Sequence, residues 1–213
     1  MGLIILHGTT VMALLFDGGA LLAADTKTTI EIGEDDDPVD PLEGYEEAEL
    51  PVGSIVDEEK TLNIGDDMVV AHIGNTGWWK KARRDHPQLV KPVQMKTLAN
   101  KFRLHLNRMC LHEPTGQFFG DRDFNVVVAG HKKDGTVEVY YTEGDPGVKS
   151  VQSLIHRRRP MVVSGSGSGA VLGHIRDFKL DKVLSFVDAH WLVEDSMLTA
   201  ALEDEYSGGR IQK

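Results

Sequence analysis

The chain has a single cysteine, Cys110, in 213 residues. That excludes an internal disulfide framework and fits a reducing compartment. No apolar run approaches the roughly 18 residues of a membrane span. The first eight residues lack the length and basic start of a secretory signal. The expectation is a soluble protein of the cytoplasm, or of cytoplasm and nucleus in a eukaryote, with no membrane partner. The nine histidines include no HExxH pair, and Cys110 has no second cysteine to share a metal. The basic run His156-Arg157-Arg158-Arg159 lacks interleaved aromatics, so it reads as a solvated loop or subunit contact rather than a nucleic-acid surface. No internal repeat is present.

Basic residues are missing altogether from positions 31–59, which hold 13 Asp or Glu. The whole chain has 33 acids and 23 bases, so removing that stretch leaves 20 acids against 23 bases, near +3. The acidity therefore belongs to one segment, whose centre GEDDDPVDPLEGYEEAELPVGS also carries three prolines. Self-repulsion and proline oppose regular structure, which predicts a surface-loop insertion at about 31–57.

The remainder is apolar enough, at 41%, to fill a core. Thr9 to Phe16 and Ala20 to Asp25 read as strands around the turn Asp17-Gly18-Gly19. Their nearly continuous apolar runs predict strands covered on both faces. Thr61–Ile64 pairs with Met68–Ile73, and Phe124–Gly130 with Val137–Tyr141, each across a glycine-containing turn. Met161–Val163 is a further short strand. Helices are predicted over 78–85, over 95–111 from the spacing of Leu98, Phe102, Leu106 and Met109, over 169–178 and over 185–205. Ser185 with Asp188 supplies a capping signal for the last. Helices that come in pairs between groups of strands argue against a parallel βαβ fold. They predict an α+β domain, a four-layer αββα sandwich of two mostly antiparallel sheets flanked by helices.

Gly8-Thr9-Thr10 opens the first long strand. Cutting after Gly8 gives Thr9 a free α-amine beside its own hydroxyl, so one residue holds a nucleophile and its base. Three further segments accompany it: Ala23-Ala24-Asp25-Thr26-Lys27, Gly165-Ser166-Gly167-Ser168, and Asp204-Glu205-Tyr206-Ser207-Gly208-Gly209. Taken singly these are ordinary. Asp25 reads as a turn residue, Lys60 as a solvated lysine, and the Ser-Gly run as a flexible loop or anion-binding turn that lacks a phosphate loop's Gly-Lys-Ser/Thr.

Taken together and in order, with Lys60 set 14 residues before Gly74, they resemble the β-type subunits of the proteasome, in the N-terminal nucleophile hydrolase superfamily. The likeness runs from Thr9 to about Gly209, the acidic segment excepted. It implies residues 1–8 as a short propeptide cut at Gly8-Thr9, and 9–213 as a single hydrolase domain. It implies a threonine endopeptidase that acts on unfolded polypeptides. Thr9 would be the nucleophile and its α-amine the base, with an ordinary pKa of about 7.7–8.0. Lys60 would lower the pKa of the Thr9 hydroxyl, and Asp25 would pair with Lys60. Ser166, Asp204 and Ser207 would hydrogen-bond around the amine and Thr9, and the Gly74 N–H would serve the oxyanion. No metal or organic cofactor is implied. Partners would be α and β subunits in stacked seven-membered rings.

The resemblance also places Thr28, Glu58, His72, Thr76 and Lys80 around the pocket for the residue before the cut bond. His72 at its base and Lys80 would favour acidic residues, with Glu58 opposing. Two departures stand out. Asn75-Thr76-Gly77-Trp78 replaces the family's A-A-D after the glycine turn, and the chain stops four residues after Gly209, where family members add strands. These departures keep a non-catalytic ring subunit open as the alternative.

Overall fold

The computed structural model describes residues 3–33, 55–74, 79, 83–84, 87–90, 94–112, 125–143, 150–157, 160–176, 178, 180 and 184–213. The first half contains strands β1 (Leu3–His7), β2 (Thr10–Phe16), β3 (Gly19–Asp25), β4 (Lys27–Gly33), β5 (Ile55–Asp57), β6 (Thr61–Ile64) and β7 (Met68–Ile73). A 3-10 turn at Pro87–Val90 and helix α1 (Met95–His112) follow. The second half contains β8 (Asn125–His131), β9 (Val137–Glu143), β10 (Ser150–Ser153), the one-turn helix α2 (Leu154–Arg157), β11 (Met161–Gly165), α3 (Ser168–Ile175), α4 (Phe186–Glu203) and β12 (Ile211–Gln212). The protein is α+β. Its strands form a four-stranded sheet β11-β2-β3-β12, a five-stranded sheet β10-β9-β8-β7-β6 and a three-stranded ribbon β1-β4-β5. Every pairing is antiparallel.

The apolar runs of β2 and β3 are explained by burial on both faces. Val11, Ala13, Leu22 and Ala24 meet Ala71, Val127, Val139 and Tyr141 of the five-stranded sheet. Their sequence neighbours Met12, Leu14 and Ala23 meet Val171, Leu192, Val193 and Met197 of α3 and α4. Side chains alternate sides along a strand, so both faces need apolar residues here. A third cluster puts Leu98, Ala99 and Phe102 of α1 against Val70, Val126, Val128 and Tyr140 on the other face of the five-stranded sheet. Each fully buried side chain of Leu or Met size contributes about 1.5–3 kcal/mol.

Local chemistry sets the element ends. Gly18, at φ 81°, makes the two-residue turn between β2 and β3. Ser185 caps α4: its Oγ accepts from Asp188 N–H at 3.2 Å and donates to Asp188 Oδ2 at 2.6 Å.

Two expectations need correction, and one strand is additional. The insertion read at 31–57 is too wide, because β4 extends to Gly33 and β5 occupies Ile55–Asp57. Residues 3–7 are a strand, β1, paired along its whole length with β4. The helix read at 169–178 ends at Ile175. The helix read at 78–85 lies largely outside the described residues. The last residues continue the four-stranded sheet, with Ile211 opposite Asp25 and Gln212 opposite Ala24. No helix among the described residues is long and apolar enough to cross a membrane.

Candidate active site

Four chain segments converge on the Gly8–Thr9 peptide bond. Gly8 sits at φ 98°, and a Cβ there would lie 2.2 Å from the Tyr206 carbonyl oxygen. Gly165, at φ 109°, passes so close that its Cβ would lie 1.8 Å from the Thr9 carbonyl oxygen. Left-handed backbone and contact at that range both demand glycine. The Ser166 backbone N–H then donates to the Thr9 carbonyl at 3.0 Å. The chain is thus gripped on both sides of this bond, between β1 and β2.

Thr9 is 2 % exposed. Its hydroxyl donates to the Gly8 carbonyl at 2.5 Å and has the Gly74 carbonyl at 3.5 Å. The same Gly8 oxygen accepts from Lys60 Nζ, which also donates to the Lys27 carbonyl. Lys60 is fully buried and pairs with Asp25 Oδ1 at 2.9 Å. Asp25 ends β3, and its own position is fixed by two backbone donors. Thr10 N–H reaches Oδ1 at 2.9 Å, and Gly208 N–H reaches Oδ2 at 2.9 Å. Burial pushes the Asp25 carboxyl above the ordinary carboxylate range, opposed by the Lys60 ammonium and these two amides.

A second chain of polar groups runs behind the bond. Asp204 Oδ2 accepts from Ser207 Oγ at 2.5 Å, and Ser207 Oγ shares a hydrogen bond of 2.6 Å with Thr10 Oγ1. Thr10 Oγ1 also accepts from Gly167 N–H at 2.9 Å. A Cβ on Gly167 would crowd Thr10 Oγ1 at 2.5 Å and Ser207 Oγ at 2.7 Å. Thr26 N–H and Lys27 N–H both donate to the Gly208 carbonyl, tying the Ser-Gly-Gly turn to the start of β4.

Thr9, Asp25, Lys60, Asp204 and Ser207 therefore lie in one connected network, though not with every contact expected. Ser207 reaches Thr10, not Thr9. Ser166 contributes its backbone N–H while the residue is exposed. Gly74 presents its carbonyl to Thr9, and the group against the Gly8 oxygen is the Lys60 ammonium rather than a Gly74 amide.

Of the pocket residues, Thr28 is buried with its hydroxyl unpartnered among the described residues. Glu58 is half-buried, and its N–H donates to the Thr26 carbonyl at 2.8 Å. His72 is fully buried, stacks on Trp79 at 5.0 Å between ring centroids and has its Nδ1 3.2 Å from the Lys60 carbonyl, so its ring is packed and hydrogen-bonded and not an open pocket floor. Thr76 and Lys80 lie outside the described residues.

Three contributors were missed in the sequence: the Gly8 and Lys27 carbonyls and the Thr10 hydroxyl. Backbone acceptors leave no trace in residue type. The doubled threonine was the available signal for Thr10.

The arrangement brings a hydroxyl and an ammonium to one buried carbonyl, with the Asp25 carboxyl behind the ammonium. An ammonium on a carbonyl oxygen draws electron density from the carbon and stabilises negative charge developing on the oxygen. Compared with protein-family models, the chain matches none. No curated protein matches its sequence significantly.

Proposed function

We propose that this protein is a threonine endopeptidase of the proteasome β type that matures by cutting its own Gly8–Thr9 bond. The observation that carries the reading is the buried Lys60 ammonium held between Asp25 and the Gly8 carbonyl, beside the Thr9 hydroxyl. The arrangement of α1 outside one sheet and α3 with α4 outside the other supports an αββα domain of that family.

In the proposed reaction, Thr9 Oγ1 adds to the Gly8 carbonyl carbon through a five-membered ring. The oxygen of Gly8 takes up the negative charge next to Lys60. The C–N bond then breaks, and the proton lost by the hydroxyl ends on the Thr9 nitrogen. Water hydrolyses the resulting ester, which releases residues 1–8 and leaves Thr9 with a free amine and hydroxyl. That amine, with an ordinary pKa of about 7.7–8.0, is then the base for later cycles. Release of β1 would also open one edge of β4, on which it pairs from His7↔Thr29 to Leu3↔Gly33. An extended polypeptide could pair there with its scissile bond at Thr9, which favours unfolded chains as substrates. On this reading the protein needs no metal or organic cofactor and works in stacked rings with related subunits.

Intact mass and N-terminal sequencing of the purified chain test the reading. The expected wild-type product begins at Thr9 and cleaves fluorogenic peptides, while Thr9→Ala stays uncut and inactive. A wild-type chain that keeps Met1, or is cut elsewhere, overturns it.

A further inference from the structure

We infer that Gln212 is a positioning residue for Lys60, an inference that rests on the functional reading above. Gln212 Oε1 accepts from the Lys60 backbone N–H at 2.9 Å and from the Thr61 hydroxyl at 3.4 Å. A peptide N–H can only donate, so the oxygen of the Gln212 amide must face Lys60. The backbone of Gln212 is meanwhile paired with Ala24 in β3, and Ile211 before it with Asp25. Gln212 thus joins the strand that carries Asp25 to the segment that carries Lys60. These two belong to different sheets, since β12 and β3 lie in the four-stranded sheet and Lys60 leads into β6 of the five-stranded one.

This contact is what sets Lys60 against its targets. Lys60 lies in the short link between β5 and β6. Its carbonyl accepts from His72 N–H at 3.1 Å and from His72 Nδ1 at 3.2 Å. Gln212 holds the N–H on the other side of the residue. With both held, the flexible four-carbon side chain starts from a fixed point and places Nζ on the Gly8 carbonyl and Asp25 together. Asp25 is anchored separately by Thr10 and Gly208, so a shift of the Lys60 backbone alone would pull the pair out of line. The terminal strand is itself fastened: Ile211 packs on the α3–α4 cluster, and Lys213 makes an ion pair with Glu194 of α4.

Gln212→Met keeps the size and the backbone pairing but removes the acceptor, whereas Gln212→Glu keeps an acceptor. The expected result for Gln212→Met is self-cleavage slowed about five- to tenfold, the scale of one lost hydrogen bond. On peptides kcat falls by the same factor with KM unchanged. Gln212→Glu restores most of the rate. Amide hydrogen exchange at Lys60 speeds up in Gln212→Met, and the melting temperature falls by no more than the few degrees that one lost hydrogen bond costs. A purely structural role would lower the folded fraction and leave kcat per folded molecule intact. Wild-type rates and exchange in Gln212→Met overturn the inference and leave the functional reading standing. If the wild-type chain does not cut itself, the functional reading falls, and unchanged exchange at Lys60 then overturns the fixing role of Gln212 as well.

Discussion

At the scale of single residues, the Lys60–Asp25 pair is structural, and the chemical role proposed for it can be separated from that one. Both side chains are buried, with exposures of 0% and 4%. Removing one partner strands the other charge and costs about 3–5 kcal/mol. Lys60→Met is therefore expected to lower the melting temperature and to abolish processing, whereas Asp25→Asn, which fixes the uncharged form that burial favours, is expected to abolish processing with a smaller loss of stability. The double variant carries neither of these two buried charges and regains most of the stability without regaining any self-cleavage, which calorimetry and intact mass would read side by side. Recovery of cleavage in the double variant would remove Lys60 from the reaction. The pH dependence has a defined sign. Burial raises the Asp25 carboxyl, so it takes a proton in milder acid than an ordinary carboxylate near 3.9. The acid limb of the self-cleavage rate is expected above that value. Because the folded chain holds this proton more tightly than the unfolded one, protonation in that window adds to stability rather than subtracting from it. Activity should thus be lost on acidification before the fold is, as rate and circular dichroism over one pH series would reveal. In the sequence, the order and spacing of the segments that carry the resemblance marked Thr9, Asp25, Lys60, Asp204 and Ser207; taken singly, Asp25 reads as a turn residue and Lys60 as a solvated lysine. Gln212 was not legible, since an amide three residues beyond a Ser-Gly-Gly turn has no pattern of its own.

At the scale of elements, glycines and short strands decide how close the segments come. Gly165 and Gly18 both sit at positive φ, 109° and 81°, but in different surroundings. A Cβ on Gly18 meets nothing within 4 Å, whereas one on Gly165 meets the Thr9 carbonyl at 1.8 Å. Gly18→Ala is expected to cost only the strain of the left-handed backbone, about 1–2 kcal/mol, and to leave processing at the wild-type rate. Gly165→Ala must push β11 away from Thr9, and is expected to stop processing even where the chain still folds. Equal processing in the two variants would show that close approach at Gly165 is not needed. The hairpin β2–β3 was legible because two apolar runs flank an Asp-Gly-Gly turn. The short run from Met161 marked β11 as well, but β1, β4 and β12 were not read. Residues 31–33 of β4 fell within the acidic stretch, while β1 and β12 exist through long-range pairing with β4 and β3. Register between distant segments is set by tertiary contact, which local composition does not encode.

At the scale of the whole molecule, three apolar clusters account for both sheets and the inner faces of three helices, and they leave one helix face unexplained. Ala189, Leu192, Val193, Met197 and Ala200 of α4 are buried against the four-stranded sheet. On the opposite side of the same helix Val187, Trp191, Leu198 and Leu202 are exposed by 72%, 53%, 55% and 88%. A surface helix normally turns polar residues outward, and one that is apolar on both sides is usually covered on both. Phe178 continues the patch, its ring 5.8 Å from that of Trp191. The proposed assembly into rings requires such a covered face, and α4 is where a second copy of the chain is expected to pack. The purified protein should then sediment as an oligomer. Trp191→Glu with Leu198→Glu should release a smaller species whose circular dichroism is unchanged, because neither side chain supports the core beneath. The proposed self-cleavage at Gly8 uses groups of one chain, so the released species should still process itself while losing the assembly. A protein that sediments as a monomer, and whose sedimentation the two substitutions leave unchanged, would rule out self-association through α4 without bearing on the chemistry at Thr9.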